Sequence, residues 1–245
     1  MALAQDGSTV SASSAFFSVS ITVTISTAGA GEQIVAQCSA GNGFGTISSN
    51  VSGATLGNFT QPAGASQIWG GGLIDNRCCF KWASAKLTSE VITYTLGVGT
   101  GSAGGFGVSA ITGSQNMDGL TAGTDYAVNK VTGTSKTPVS NSITAKASGS
   151  WLIQGGGSSQ GTSYTPDAND TITGKCGFNG TTTAGQATYG QQLTTPATTT
   201  AGNSYTSGGT FNASIPYGIA TVEILAAASG TVIVPWPLLN GRMTH

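Results

Sequence analysis

Charge is what this sequence has least of. Of its 245 residues only 8 are Lys or Arg and 9 are Asp or Glu, 7% of the chain against about 25% in an ordinary soluble domain. Long exposed helices coat their outer faces with Lys, Glu, Arg and Gln, so helical bundles and coiled coils are excluded. The formal net charge is −1 and no basic cluster occurs. A phosphate backbone finds no electrostatic footing on such a chain, and nucleic acid is not expected as a partner. Long apolar runs are missing too. The longest candidate, Val232 to Leu239, is broken by Pro235 and Pro237 and falls far short of the roughly 18 residues of a membrane span. The opening Met-Ala-Leu-Ala-Gln-Asp has neither a basic n-region nor an apolar h-region, so no secretory leader is expected. Histidine occurs once, as His245.

What is abundant is small. Glycine supplies 38 residues, about twice the usual share. Yet 38% of the chain is hydrophobic, with 4 Trp, 8 Phe and 6 Tyr, which argues for a packed core rather than disorder. Phe17, Val19, Ile21, Val23 and Ile25 alternate with small hydroxyl residues, the period-two signature of a strand with one face inward. Ile92, Tyr94, Leu96 and Val98 repeat it, with Val91, Thr93 and Thr95 on the opposite face. Cys78, Phe80 and Trp82 point one way, Cys79 and Lys81 the other. Shorter strands are expected at 33–38, 67–74, 106–111, 126–132, 142–147, 151–154 and 219–225, with turn signals between them. Residues 155–205, poor in large apolar side chains, are expected as long loops. The pattern predicts an all-β fold: an antiparallel β-sandwich, jelly-roll-like, as one domain over 9–229. An N-terminal arm (1–8) and an extended C-terminal arm (230–245) flank it. There is also an internal echo. Residues 20–26 and 32–41 are similar to 142–148 and 150–157, and Phe106-Gly-Val-Ser-Ala-Ile is similar to Tyr217-Gly-Ile-Ala-Thr-Val.

Motifs that might carry chemistry do not survive their context. Gly157-Ser-Ser-Gln-Gly161 fits G-x-S-x-G with Ser159 as nucleophile, but no helix pattern follows and no base is at hand. Gly99-Thr-Gly-Ser-Ala-Gly104 fits the dinucleotide pattern, with Asp118 beyond it; another strand follows where a helix is required, so it reads as a hairpin loop. Asp167, Asn169 and Asp170 lack the glycine and closing glutamate of a calcium loop, Ile172 standing in the glycine position. They read as an Asx turn, as do Asp75-Asn76 and Asp118-Gly119. Cys38, Cys78, Cys79 and Cys176 have no C-x-x-C spacing and no histidine partners, so neither zinc nor any other cofactor is expected and buried free thiols are. Trp82 and Trp151 read as core. Trp69, beside Gly70-Gly71-Gly72, and Tyr164 are the candidates for stacking on a sugar ring.

The layout resembles a family of glycine-rich β-sandwich proteins from bacteriophage structural-gene regions. The elements that carry the likeness are the alternating strand, then Gly-Glu-Gln-Ile-Val-Ala (31–36), Leu56-Gly-Asn-Phe-Thr, Phe80-Lys-Trp-Ala-Ser-Ala-Lys, and Ser89-Glu-Val-Ile-Thr-Tyr-Thr-Leu. A strand ending Ile111-Thr-Gly-Ser and Ile219-Ala-Thr-Val-Glu-Ile-Leu complete it. The resemblance implies a non-enzymatic virion component, a multi-copy head decoration or fibre protein assembled in the host cytoplasm. It implies a homo-oligomer, a trimer by analogy, in contact with other virion proteins. The alternative is a tail-fibre or adhesin module that binds a bacterial surface glycan. The C-terminal arm places Val232, Ile233, Val234, Trp236, Leu238 and Leu239 within eight positions. So much apolar surface favours docking on a neighbouring subunit or on the particle.

Overall fold

A computed structural model of the chain describes residues 2–14, 20–42, 50–69, 74–95, 102–137, 142–158, 164–166, 178–181, 187–192, 199–206, 209–211 and 213–228. Among these, eighteen strands and one 3-10 turn (Ala63–Ala65) are formed, every strand pairing is antiparallel, and no α-helix occurs. The all-β sandwich read from the sequence is the fold.

The first nine strands wind as a jelly roll. They are β1 (Ala4–Ser14), β2 (Ser20–Ile25), β3 (Glu32–Asn42), β4 (Asn50–Gly53), β5 (Gly57–Asn58), β6 (Ser66–Trp69), β7 (Ile74–Ala83), β8 (Glu90–Thr95) and β9 (Ser102–Thr112). The chain crosses repeatedly between a five-stranded sheet, β1-β9-β3-β7-β6, and a four-stranded sheet, β2-β8-β4-β5. In β2 every second residue is buried, Ile21, Val23 and Ile25 facing the five-stranded sheet while Ser20, Thr22 and Thr24 face out. Ile92 and Tyr94 do the same from β8, with Val91 and Thr95 outward. Cys79 belongs to this core and its neighbours Cys78 and Phe80 to another on the opposite side of the sheet. That second core is the feature the alternation did not announce. The five-stranded sheet is covered on both faces.

The covering layer is a second winding of the same pattern: β10 (Val128–Ser135), β11 (Ile143–Thr144), β12 (Trp151–Ser158), β13 (Tyr164–Pro166), β14 (Phe178–Thr181), β15 (Ala187–Gln192), β16 (Ser204–Tyr205), β17 (Gly209–Phe211) and β18 (Ile215–Ile224). Its five-stranded sheet runs β10-β18-β12-β15-β14, strand for strand the order of the first. Outside it lie the pairs β11-β16 and β13-β17, which correspond to β2-β8 and β4-β8 with the middle strand interrupted. The internal echo is therefore architectural. Its register shifts by two residues between halves, since Val35 pairs with Ser109 whereas Ile153 pairs with Val222.

The two five-stranded sheets stack back to back. β3 lies over β12, β9 over β15, β7 over β18, β1 over β14 and β6 against β10. Each strand thus lies over the counterpart of the strand placed symmetrically across the central one, β3 over its own counterpart β12 and β9 over β15, the counterpart of β7, the relation produced by a two-fold axis running along the strands between the sheets. β9 and β18 end together, stitched by Gln115 N–H to Leu225 O (3.0 Å) and Ala227 N–H to Gly113 O (2.8 Å).

Four expectations change. Residues 4–8, expected in an arm, open β1, whose small alternating side chains suit an edge strand with a break in register between Asp6 and Val10. Residues 155–205 hold strands, not only loops. β12 runs on through Gly155-Gly-Gly-Ser158, buried on both faces, where a Cβ at Gly155 would stand 3.0 Å from the Arg77 carbonyl oxygen and 3.2 Å from Gln37 Cβ. Glycine there admits the close approach of the stacked sheets. Asp75 and Asn76 are not a turn: they lie within β7, fully buried. The stretch 99–104 joins no hairpin either, because β8 and β9 belong to different sheets.

Candidate functional site

The expected site residues are not brought together. Trp69 closes β6, the outer strand of the first five-stranded sheet, and Tyr164 opens β13, in the outer layer of the second half. Their side chains lie outside the described groups. So do Val232, Ile233, Val234, Trp236, Leu238 and Leu239 of the C-terminal arm, along with Ser159, Asp167, Asn169, Asp170, Cys176 and His245. Cys38, Cys78 and Cys79 are buried, and burial pushes the Cys38 thiol well above its usual range. Trp151 is core, and Trp82 is half-buried.

What the fold does bring together is charge, and it turns that charge inward. Among the described residues four carboxylates, Glu32, Asp75, Glu90 and Glu223, are buried. Asp75 sits in the first sandwich, where Arg77 Nε donates to both of its oxygens (2.9 and 2.8 Å) and the Tyr94 hydroxyl donates to Oδ2 at 2.6 Å. Arg77 also donates to Gln61 Oε1, and Gln61 Nε2 donates to Asn50 Oδ1. The cluster thus ties β7 to β8, β4 and the segment before β6. Burial disfavours the Arg77 charge, but Asp75 more than offsets this and its pKa stands above the usual value. Burial, then Asp75, drives the Tyr94 phenol well above its ordinary range. A phenol held protonated and a carboxylate that accepts from a guanidinium and a phenol are clamps rather than reagents. The sequence did carry a signal for this pair: two residues apart in a strand, Asp75 and Arg77 share a face.

The other three carboxylates hold connecting segments. Glu90 accepts from Thr55 N–H (2.8 Å), the Thr55 hydroxyl (2.7 Å) and Leu56 N–H (3.1 Å). Burial opposes its charge, but these donors prevail and hold its pKa below the usual 4.5. Glu223 accepts from Ala127 N–H (2.8 Å), Lys146 N–H (3.0 Å), Ala147 N–H (3.0 Å) and the Ser150 hydroxyl (2.6 Å). Glu32 accepts from Gly29 N–H at 3.2 Å and stands beside Asp6, which accepts from Ala28 N–H.

With charges spent inside, the surface left over is hydroxyl-rich and nearly neutral. The outer face of the four-stranded sheet presents Ser20, Thr22, Thr24 and Thr95, and Val91 at 41% exposure is the one large exposed apolar residue among the described residues. Of the described cations, Lys81 pairs with Asp118 (2.8 Å), and Lys130 on the edge strand β10 donates to the carbonyls of Ala63 and Ser66. That last contact pins the β10 edge to the β6 edge. Among the described residues no three His, Cys, Asp or Glu side chains converge to hold a metal, and no helix is long and apolar enough to cross a membrane. Compared with family models, with curated proteins and with solved structures, the chain matches none.

Proposed function

We propose that this protein is a non-enzymatic structural component of a bacteriophage particle, present in many copies on the particle's exterior as a head decoration or fibre protein. The observation that carries the reading is the double winding: one chain forms the jelly-roll strand order twice and stacks the two copies through five-stranded sheets. Jelly rolls recur in viral capsid and lectin domains, and the step from architecture to particle is one of architectural analogy. The polar chemistry supports it from the other side, because the buried carboxylates anchor the chain to itself. A nearly neutral, hydroxyl-rich exterior suits copies crowded on one surface, where like charges would repel. The free buried thiols of Cys38 and Cys79 fit assembly in a reducing host cytoplasm.

The partners on this reading are other copies of the chain, a trimer by analogy, and other virion proteins. Light scattering on the purified chain tests it: a mass several times that of one chain is expected. A monomer at micromolar concentration that also fails to associate on the particle contradicts it. The second reading, a module that binds a bacterial surface glycan, draws on the same architecture, since lectins also use it, and on the Ser/Thr outer sheet face. Reproducible binding on a glycan array that is lost in Trp69→Ala would favour that module over the purely structural role.

A further inference from the structure

The two windings contain the same connecting loop, and each closes it differently. In the first, residues 26–31 join β2 to β3; in the second, 145–150 join β11 to β12. Thr27 N–H donates to Leu87 O and Ala145 N–H to Asn203 O. Gly31 N–H donates to Ala83 O and Gly149 N–H to Thr199 O. Gly31 and Gly149 share a left-handed backbone, φ 75° and 74°. The loops are therefore equivalent residue by residue, with Ala28 and Gly29 matching Lys146 and Ala147.

In the second loop those two amides meet one carboxylate. Glu223 takes both, and Ala127 N–H and the Ser150 hydroxyl complete its shell. In the first loop the same two amides are split between two carboxylates: Ala28 N–H goes to Asp6 on β1 and Gly29 N–H to Glu32 on β3. The two acids reach each other across β9, where the small Ala110 pairs with Asp6. Glu32 is 2% exposed, and its second oxygen, Oε2, meets no N–H or O–H donor. The carboxyl set beside it is that of Asp6, because the two acids take the adjacent amides of Ala28 and Gly29, and its charge acts on Glu32. A buried carboxylate such as Glu32, with the partly exposed Asp6 carboxylate facing it, does not ionise at little cost.

We propose that Asp6 and Glu32 share a single proton, and that this proton fastens the edge strand β1 to the β2–β3 loop. Protonated Glu32 donates from Oε2 to Asp6, which gives the orphaned oxygen its partner and leaves one negative charge facing two amides. That is the charge Glu223 alone supplies in the second winding. Burial and then Asp6 raise the Glu32 pKa from 4.5 to about 7. Asp6 is the one charged group felt at Glu32; the loop contributes backbone amides, β7 pairs Ala83 with Glu32, and Lys81 further along β7 is neutralised by Asp118. The sign follows from the raised value. The contribution to stability is full below about pH 4.5, falls as pH rises, and is gone above about pH 7. Deprotonation sets two charges against each other at the join between β1 and the loop, and loosening β1 uncovers the β9 edge.

Hydrogen exchange of the full chain, followed by mass spectrometry and corrected for intrinsic rates, tests the latch with the second winding as internal reference. Protection of 4–14 and 26–32 is expected to drop relative to 144–151 between about pH 6 and about pH 8. Glu32→Gln, whose amide donates to Asp6 at every pH, is expected to abolish that step. A flat wild-type profile, or an unchanged step in Glu32→Gln, would overturn the proposal. Should Glu32→Gln not fold, the infrared carbonyl band of a protonated carboxyl decides on wild type alone: present at about pH 6 and lost by about pH 8 it supports the shared proton, absent at both it overturns it. Calcium that restores protection at about pH 8 to its level at about pH 6 would also overturn it, by making the pair a cation site.

Discussion

Asp75 concentrates the risk in the first sandwich, because it is fully buried and its carboxylate accepts from the Arg77 guanidinium and the Tyr94 hydroxyl. Removing one partner of a buried pair leaves an uncompensated charge, which typically costs about 3–5 kcal/mol. Asp75→Ala is expected to fall in that range and Tyr94→Phe nearer about 1.5–3 kcal/mol, the usual worth of a hydrogen bond to a charged group. Urea denaturation of both variants checks this, and the reverse ranking would mean that Arg77 is not held by Asp75. Glu90 makes a pH-dependent prediction. Its pKa is held below 4.5 by the Thr55 and Leu56 donors, so its contribution is present above about pH 4.5 and is lost as pH falls through the depressed value. Glu90→Gln is expected to destabilise at neutral pH, with the deficit shrinking below about pH 4.5. A deficit that stays constant down to pH 3 would contradict the assignment.

At the scale of elements, β12 is the test piece. Gly155 lets β12 approach β3 and β7, where Gln37 Nε2 donates to Gln154 O at 2.9 Å and Cys78 Sγ lies 3.5 Å from Ile153 O. Gly155→Ala puts a methyl 3.0 Å from a backbone oxygen and is expected to cost about 1–3 kcal/mol through overpacking. A neutral result in thermal unfolding would mean that the sheets are not in close contact there. The same strand shows what the sequence could and could not say. β2 and β8 each have one wet face, so their apolar residues alternate and both were legible. β12 and β18 are covered on both faces, with no alternation to read, and the glycines that admit close stacking looked like loop. Asp75-Asn76 looked like a turn because those residue types usually make one; only the pairing of β7 with β3 places them inside. Pairing between strands far apart in sequence is what local pattern does not encode. The C-terminal segment 230–245 remains a prediction from sequence. Its deletion is expected to leave the far-ultraviolet strand spectrum intact and to weaken self-association or attachment to the particle. Loss of the strand signal would show that Trp236 and its apolar neighbours belong to the chain's own core.

For the whole molecule, the defining feature is one chain that carries its own two-fold partner. Stacking two equivalent sheets buries the middle of the molecule on both sides, as a dimer interface would, and the two windings cannot drift apart because β9 and β18 are stitched where they end. The echoes between residues 20–41 and 142–157 and between 106–111 and 217–222 were the trace of this in the sequence, and they were faint because the halves share strand order more than side chains. The claim that such a molecule is a building part of a phage particle is tested most directly by cryo-electron microscopy of the particle whose genome encodes it. The account predicts repeated density on the exterior, at head lattice points or along a fibre, into which the two stacked five-stranded sheets fit as one rigid body. Particles that reach high resolution with every exterior density assigned to other chains, and in which mass spectrometry detects none of this protein, would contradict it.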